Sequence, residues 1–180
     1  MALTRLGSNN STNISGINLT SQVTGTLPAA NGGTGATSFA PGKVLQLVSG
    51  NHTSQASTTS TSFVDLSTNT NVSITPASTS NKVLVMAHFN ELYYTGTTSI
   101  YLDVTAAGSQ IVSSHSMYFP SLSGEKLHLA DLVFLHSPNT TSAVEYKMRF
   151  ASQNSTTVRV NQNSATGGSS LLLMEIAGWL

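Results

Sequence analysis

Residues 143–150 read Ala-Val-Glu-Tyr-Lys-Met-Arg-Phe, and this stretch has the clearest strand pattern in the chain. Its even-numbered residues are apolar, whereas the odd-numbered residues from Glu145 to Arg149 are charged. Because successive side chains of a β-strand point to opposite faces, this alternation predicts a strand with an apolar inner face and a charged outer face.

Similar segments continue to both sides of this strand, separated by turn signals rich in Gly, Pro and Asn. They are residues 43–49, 71–75, 82–90, 99–105, 110–113, 126–137, 156–162 and 169–177. Residues 82–90 and the second half of 126–137 are apolar on both faces, which is typical of strands covered on both sides. No segment has a sustained 3.6-residue period. The sequence therefore predicts an all-β fold, in which residues 41–180 form an antiparallel, jelly-roll-like β-sandwich.

The first 40 residues differ in composition from the rest. Their apolar residues are sparse and lie among Asn, Ser, Thr and Gly; they are Ile14, Ile17, Leu19, Val23 and Leu27. So few apolar groups cannot offset an ordering entropy of about 1–2 kcal/mol per residue. We therefore expect this extended segment to become ordered against other chains, in a parallel homotrimer whose copies bring these side chains together about one axis.

Residues 25–35 read Gly-Thr-Leu-Pro-Ala-Ala-Asn-Gly-Gly-Thr-Gly and cannot form a helix, because Gly and Pro both disfavour it. Asn31, Gly32 and Gly33 readily adopt positive φ angles. The string resembles one that recurs in tail-fibre and related virion fibre proteins of tailed bacteriophages, between an N-terminal attachment segment and a distal globular domain. The order of patterns from residue 43 to the terminal Leu-Leu-Leu-Met-Glu-Ile-Ala-Gly also resembles the β-domain of such proteins.

That resemblance implies three regions, namely an attachment segment (1–24), a Gly-rich intertwined linker (25–40) and the β-domain (41–180). The implied virion-attachment residues are Ile14, Ile17, Leu19 and Val23. The implied trimer and turn residues are Leu27, Pro28, Asn31, Gly32, Gly33 and Gly35. The implied partners are other copies of the chain, other virion structural proteins bound through the N-terminus, and a glycan or protein of the host surface.

Composition argues against other partners. Seven basic and seven acidic residues give no net charge, so there is no basic patch for nucleic acid. No apolar run approaches the roughly 20 residues of a membrane helix, so we expect no membrane insertion. The chain has no cysteine for a thiolate metal site.

Catalytic and metal-binding patterns are also missing from the sequence. The acidic residues are scattered, no Gly-x-Ser-x-Gly elbow occurs, and residues 31–35 lack the Lys-Ser/Thr ending of a phosphate loop. His128 and His136 share a predicted strand but lie roughly 26 Å apart, too far to bind one ion. We therefore expect no catalytic residues, no metal and no cofactor.

Asp131 interrupts an apolar strand face in the segment 126–137. Because a buried, unpaired carboxylate is costly, it should have a cationic partner. Arg149 and Arg159 are the candidates, and the pair would fix strand register or subunit contacts.

Four aromatic residues lie near predicted strand ends: Tyr93, Tyr94, Tyr118 and Phe119. Exposed aromatic rings stack on sugars or form subunit contacts. They are the candidate receptor contacts, on loops that include residues 92–98 and 113–125; packing in the core or between subunits is the alternative.

Three functions compete on this evidence. The first is a short phage tail fibre, anchored to the virion by its N-terminus and presenting the β-domain to the host surface. The alternative is a capsid decoration or cement trimer that binds no receptor. A polysaccharide depolymerase is the third, and scattered carboxylates and a short chain weigh against it.

Overall fold

The computed structural model describes residues 44–94, 98–117, 128–163 and 167–177. Strands dominate these residues, and they contain no α-helix, only one 3-10 turn at Thr68–Thr70. The strands are β1 (Val44–His52), β2 (Ala56–Thr58), β3 (Val64–Asp65), β4 (Asn71–Ile74), β5 (Lys82–Tyr94), β6 (Ile100–Ala106), β7 (Ser109–Met117), β8 (His128–His136), β9 (Val144–Ser152), β10 (Val158–Val160) and β11 (Ser169–Ile176). The predicted all-β class is confirmed.

The first sheet is built around β5. One edge of β5 pairs with β11, which pairs in turn with β1, and the other edge pairs with β8. The last residues of β5 pair with β10, which carries β2. All these pairs are antiparallel, and Val85 lies opposite Leu173 on one side and Phe134 on the other.

The second sheet is built around β9. One edge of β9 pairs with β6, which continues to β7, and the other edge pairs with β3 and β4. Met148 of β9 lies opposite Val104 of β6, and Tyr146 lies opposite Val72 of β4. These pairs are antiparallel as well.

The connectivity is that of a jelly roll. The principal strands are ordered β1-β11-β5-β8 in the first sheet and β4-β9-β6-β7 in the second. Among these eight principal strands the chain changes sheet at every step except one, because β6 and β7 follow one another within the second sheet. Two four-stranded sheets joined in this way form a double Greek key, so the predicted jelly-roll-like sandwich is confirmed.

Inward-facing apolar side chains fill the core. The largest are Tyr146, Phe89 and Phe150, each 1% exposed or less. The alternation in residues 143–150 predicted four inward-facing side chains, and all four are 5% exposed or less; they are Val144, Tyr146, Met148 and Phe150. The strand pattern in this segment is thus confirmed at the level of single side chains.

Strand β6 is buried on both faces. Leu102 and Val104 lie in the core, whereas Asp103 on the opposite face is also fully buried. The Arg149 guanidinium donates a hydrogen bond to the Asp103 carboxylate from the neighbouring strand, and it lies 5.3 Å from the centre of the Phe63 ring. Burial raises the pKa of Asp103, and the interactions with Arg149 offset this only in part.

Candidate functional site

The outer face of the first sheet is apolar. Alternate residues such as Val83 and Leu173 enter the core, so the residues between them point away from the sandwich. Most of these outward residues are Leu, Met, Val or Ile. We define the apolar face as Leu45, Leu47, Leu84, Met86, Leu129, Val133, Leu135, Leu172, Met174 and Ile176.

Strand register arranges these side chains in rows that cross the sheet. One row runs through Leu47, Met174, Leu84 and Leu135. The next row, two residues along each strand, runs through Ser49, Leu172, Met86 and Val133. Because side chains opposite one another lie about 4.5–5.5 Å apart, the rows form one continuous surface.

Much of this surface is exposed. Leu129, Leu135, Val133 and Leu47 are 60, 56, 55 and 53% exposed. Within the described residues, all the large hydrophobic side chains classed as exposed lie on β1, β5 or β8. Covering one half-exposed Leu or Val is worth about 1 kcal/mol. A contiguous apolar patch of this extent is typical of an interaction surface.

A depression of about 310 Å³ lies at the end of the apolar face next to His88 and Asp131. Met86, Val133 and Leu172 form its apolar wall, and Ser170, His88 and Asp131 form its polar wall. A depression of this kind offers room for an apolar side chain from a partner.

The pair of His88 and Asp131 interrupts the apolar face near one end, between Val133 and Leu129 of β8. The two residues lie opposite one another on β5 and β8, with Nδ1 and Oδ1 2.7 Å apart. Their side chains are 36 and 64% exposed, so the pair is solvated. The predicted partnership of Asp131 with Arg149 or Arg159 is wrong, because Asp131 points outward and needs no buried cation. Arg149 binds Asp103 instead.

Lys82 borders the opposite end. It lies across from Ile176, and its ammonium group donates to the Ser137 hydroxyl at 2.7 Å. The apolar rows are therefore enclosed by polar groups at both ends, as the centre of a protein interface is enclosed by a polar rim.

The outer face of the second sheet is charged. Lys147 Nζ lies 3.0 Å from an Asp65 carboxylate oxygen and 3.5 Å from one of Glu145. The hydrogen bond to Asp65, supported by the attraction of both carboxylates, raises the pKa of Lys147. The described outward side chains around Lys147 are thus charged, whereas those of the first sheet are apolar and favour apolar association.

A buried carboxylate fixes the end of β11 behind the apolar face. Glu175 is 1% exposed and accepts hydrogen bonds from Gln46 Nε2 at 2.6 Å, Ala77 N at 2.7 Å and Asn81 Nδ2 at 2.5 Å. Burial acts to raise the pKa of Glu175, but the three hydrogen bonds outweigh it and hold the pKa below its ordinary value. This network joins β1 and the segment before β5 to β11.

Two of the four predicted receptor contacts, Tyr93 and Tyr94, lie within the described residues. Tyr93 and Tyr94 are 8 and 4% exposed, and the Arg159 guanidinium lies 5.1 Å from the centre of the Tyr93 ring. They pack within the domain, which is the alternative that the sequence left open. The expectation that a loop starts at residue 92 is wrong, because β5 continues through Tyr94. Tyr118 and Phe119 lie outside the described residues.

The predicted N-terminal residues also lie outside the described part of the chain. They are Ile14, Ile17, Leu19, Val23, Leu27, Pro28, Asn31, Gly32, Gly33 and Gly35.

Away from the apolar face, His136 has a hydrogen-bond partner within the domain. His136 Nδ1 lies 2.7 Å from the Tyr146 hydroxyl, and burial lowers the pKa of this histidine. Among the residues that the structure describes, no three His, Cys, Asp or Glu side chains are grouped as metal ligands would be. The same residues include no helix with the length and hydropathy needed to cross a bilayer.

The sequence indicated the apolar character of these side chains, but it did not predict that they form an exposed surface. Residues 82–90 are apolar on both faces, which predicted a strand covered on both sides. In the structure the second sheet covers one side of β5, and Met86 on the other side is 40% exposed. The pattern was therefore correct about side-chain character, and the cover of the outer side stays a prediction.

Comparisons with known proteins give similarity in structure alone. No protein-family model matches the chain, and no curated protein matches it. The fold is similar to that in the crystal structure of the infectious bursal disease virus VP2 subviral particle, with a TM-score of 0.36 and 10% sequence identity. The match covers 74% of this chain and 37% of the VP2 chain, so this chain corresponds to well under half of that protein's length.

Proposed function

We propose that this protein is a structural component of a virion, a short phage tail fibre. Residues 1–24 anchor it to the particle, residues 25–40 intertwine in a homotrimer, and the β-domain is presented outward. The fibre catalyses no reaction and requires no cofactor.

The observation that carries this proposal is the apolar face. A domain that leaves Leu129, Val133 and Leu135 more than half exposed is suited to assembly, because those groups gain by being covered. The sequence 25–35, with its resemblance to phage fibre proteins, supplies the kind of assembly. The jelly roll supports the proposal as a rigid module, since its strands hold loops at the two ends of the sandwich.

Host contact is assigned to the loops at a strand end of the β-domain. Because Tyr93 and Tyr94 are buried, Tyr118 and Phe119 are the aromatic residues that we propose for this contact. Replacing both with alanine should leave incorporation into the virion unchanged and reduce adsorption to host cells. Normal adsorption by virions that carry the double variant would contradict the assignment.

The proposal is tested by locating the full-length protein on purified virions with gold-labelled antibodies. Label on the tail supports a fibre. Label spread over the shell replaces the fibre with the capsid decoration trimer, which shares the fold and the symmetry. Virions free of the protein overturn both functions.

A further inference from the structure

We infer that the apolar face is the surface through which copies of this chain bind one another, each face packing against the same face of the neighbouring copies. The inference rests on the proposed structural function, since it names the partner in that assembly. It adds a contact within the β-domain to the contact expected from the N-terminal segment.

The size of the apolar face fits the centre of a subunit interface. Its four strands span about 19 Å at the usual strand spacing, and its three rows from Ile176 to Leu172 extend over about 20 Å. The resulting area of about 400 Å² is half of the roughly 800 Å² that each partner buries in a specific interface. A polar rim supplies the remainder in such interfaces, and Lys82, His88 and Asp131 stand where that rim would lie.

The charge distribution favours a copy of the same chain over other partners. The two central rows contain no charged residue, so a strongly acidic or basic partner would find nothing there to pair with. A lipid surface would favour a cluster of Lys and Arg, and Lys82 is a single cation at the border. When copies associate in parallel, each row meets the same row of its neighbours. Apolar groups then meet apolar groups, and the polar pair of His88 and Asp131 stays at one end.

The shape of the surface agrees with interlocking copies. The depression of about 310 Å³ beside Met86 and Val133 is open to the outside. An apolar side chain of a neighbouring copy that enters this space can pack against Met86, Val133 and Leu172, which raises the packing density beside the polar rim.

The absence of cysteine from the sequence allows a direct test on the full-length protein. Leu135→Cys places a single thiol on the apolar face, and Ser73→Cys places one on an exposed position of β4 in the second sheet. We expect a water-soluble maleimide to label Leu135→Cys at least about tenfold more slowly than Ser73→Cys in native protein. The two variants should react alike in denaturant. Equal rates in native protein would overturn the inference.

A second pair of variants identifies what covers the face. Leu135→Lys should raise the protein concentration below which the molar mass measured by light scattering falls, because it places a charge in one of the two contacts between copies; Ser73→Lys should leave that concentration unchanged. Circular dichroism checks that both variants are folded. If Leu135→Lys does not fold, Met86→Lys is used in its place. A protected thiol at position 135, with no difference between the lysine variants in that concentration, would mean that another segment of the same chain covers the face, and would overturn the inference. These measurements use purified protein, so failure to find the protein on virions leaves their outcome unaffected.

Discussion

Replacing Glu175 with glutamine tests how the buried end of β11 is held. One carboxylate oxygen accepts from Ala77 N and Asn81 Nδ2, and the other accepts from Gln46 Nε2. A glutamine keeps one oxygen, so it can still accept from Ala77 and Asn81. Its amide NH2, however, faces the amide NH2 of Gln46, and two donors cannot bind one another.

The magnitude follows from these contacts. Gln46 is not free to turn its amide, because its Nε2 also donates to the Thr75 carbonyl at 2.7 Å. The substitution therefore removes one charge-assisted hydrogen bond, worth about 1.5–3 kcal/mol, and weakens two others. Relief of the buried charge offsets part of the loss. We expect the free energy of unfolding to fall by about 2 kcal/mol.

The effect should also depend on pH. Since the folded-state pKa of Glu175 lies below its ordinary value of 4.5, the carboxylate stabilises the fold fully above that pH. The stabilisation is lost as the pH falls through the folded-state pKa. The difference in stability between the native protein and Glu175→Gln should therefore be largest at neutral pH and shrink below pH 4.5.

Urea unfolding followed by circular dichroism, at one protein concentration and a series of pH values, measures this difference. Glu145→Gln is the matched control, because Glu145 is half exposed and 3.5 Å from Lys147. It should change stability by no more than about 0.5 kcal/mol. Equal losses for the two variants, or a difference that grows on acidification, would refute the assigned hydrogen-bond network.

Two further predictions concern a glycine turn and a buried ion pair. Gly168→Ala should lower the free energy of unfolding in urea by about 3 kcal/mol, and Gly108→Ala by about 1 kcal/mol. Both residues have a positive φ, but only a Cβ at position 168 would meet a backbone atom, the His52 carbonyl oxygen at 2.6 Å. Similar losses at the two positions would contradict this. Arg149→Met should lower the free energy of unfolding by about 3 kcal/mol, because it leaves the buried Asp103 carboxylate unpaired. Adding Asp103→Leu should restore part of this loss, and strictly additive losses would contradict the pairing.

The fold was largely predictable because its signals are local. Alternation in residues 143–150 depends only on the period of a strand, and it located the inward residues of β9 correctly. The pairs Ala107-Gly108 and Gly167-Gly168, which lie between predicted strand segments, have positive φ angles in the structure. The number of strands and their spacing were then sufficient to indicate a two-sheet sandwich.

Pairing between distant strands was not predictable in the same way. Arg149 meets Asp103 because β6 and β9 align in one particular register, which no local pattern specifies. Asp131 was expected to be buried, but its strand lies at the edge of a sheet whose outer face is open. Tyr93 lies beyond a register irregularity between Phe89 and Leu92, where β5 continues instead of ending in a loop.

The molar mass of the full-length protein at micromolar concentration, measured by light scattering, tests most directly whether this chain functions as an assembled fibre subunit. We expect one species of three times the chain mass of 18.8 kDa. A species of 18.8 kDa, with the thiol of Leu135→Cys freely reactive, would contradict it.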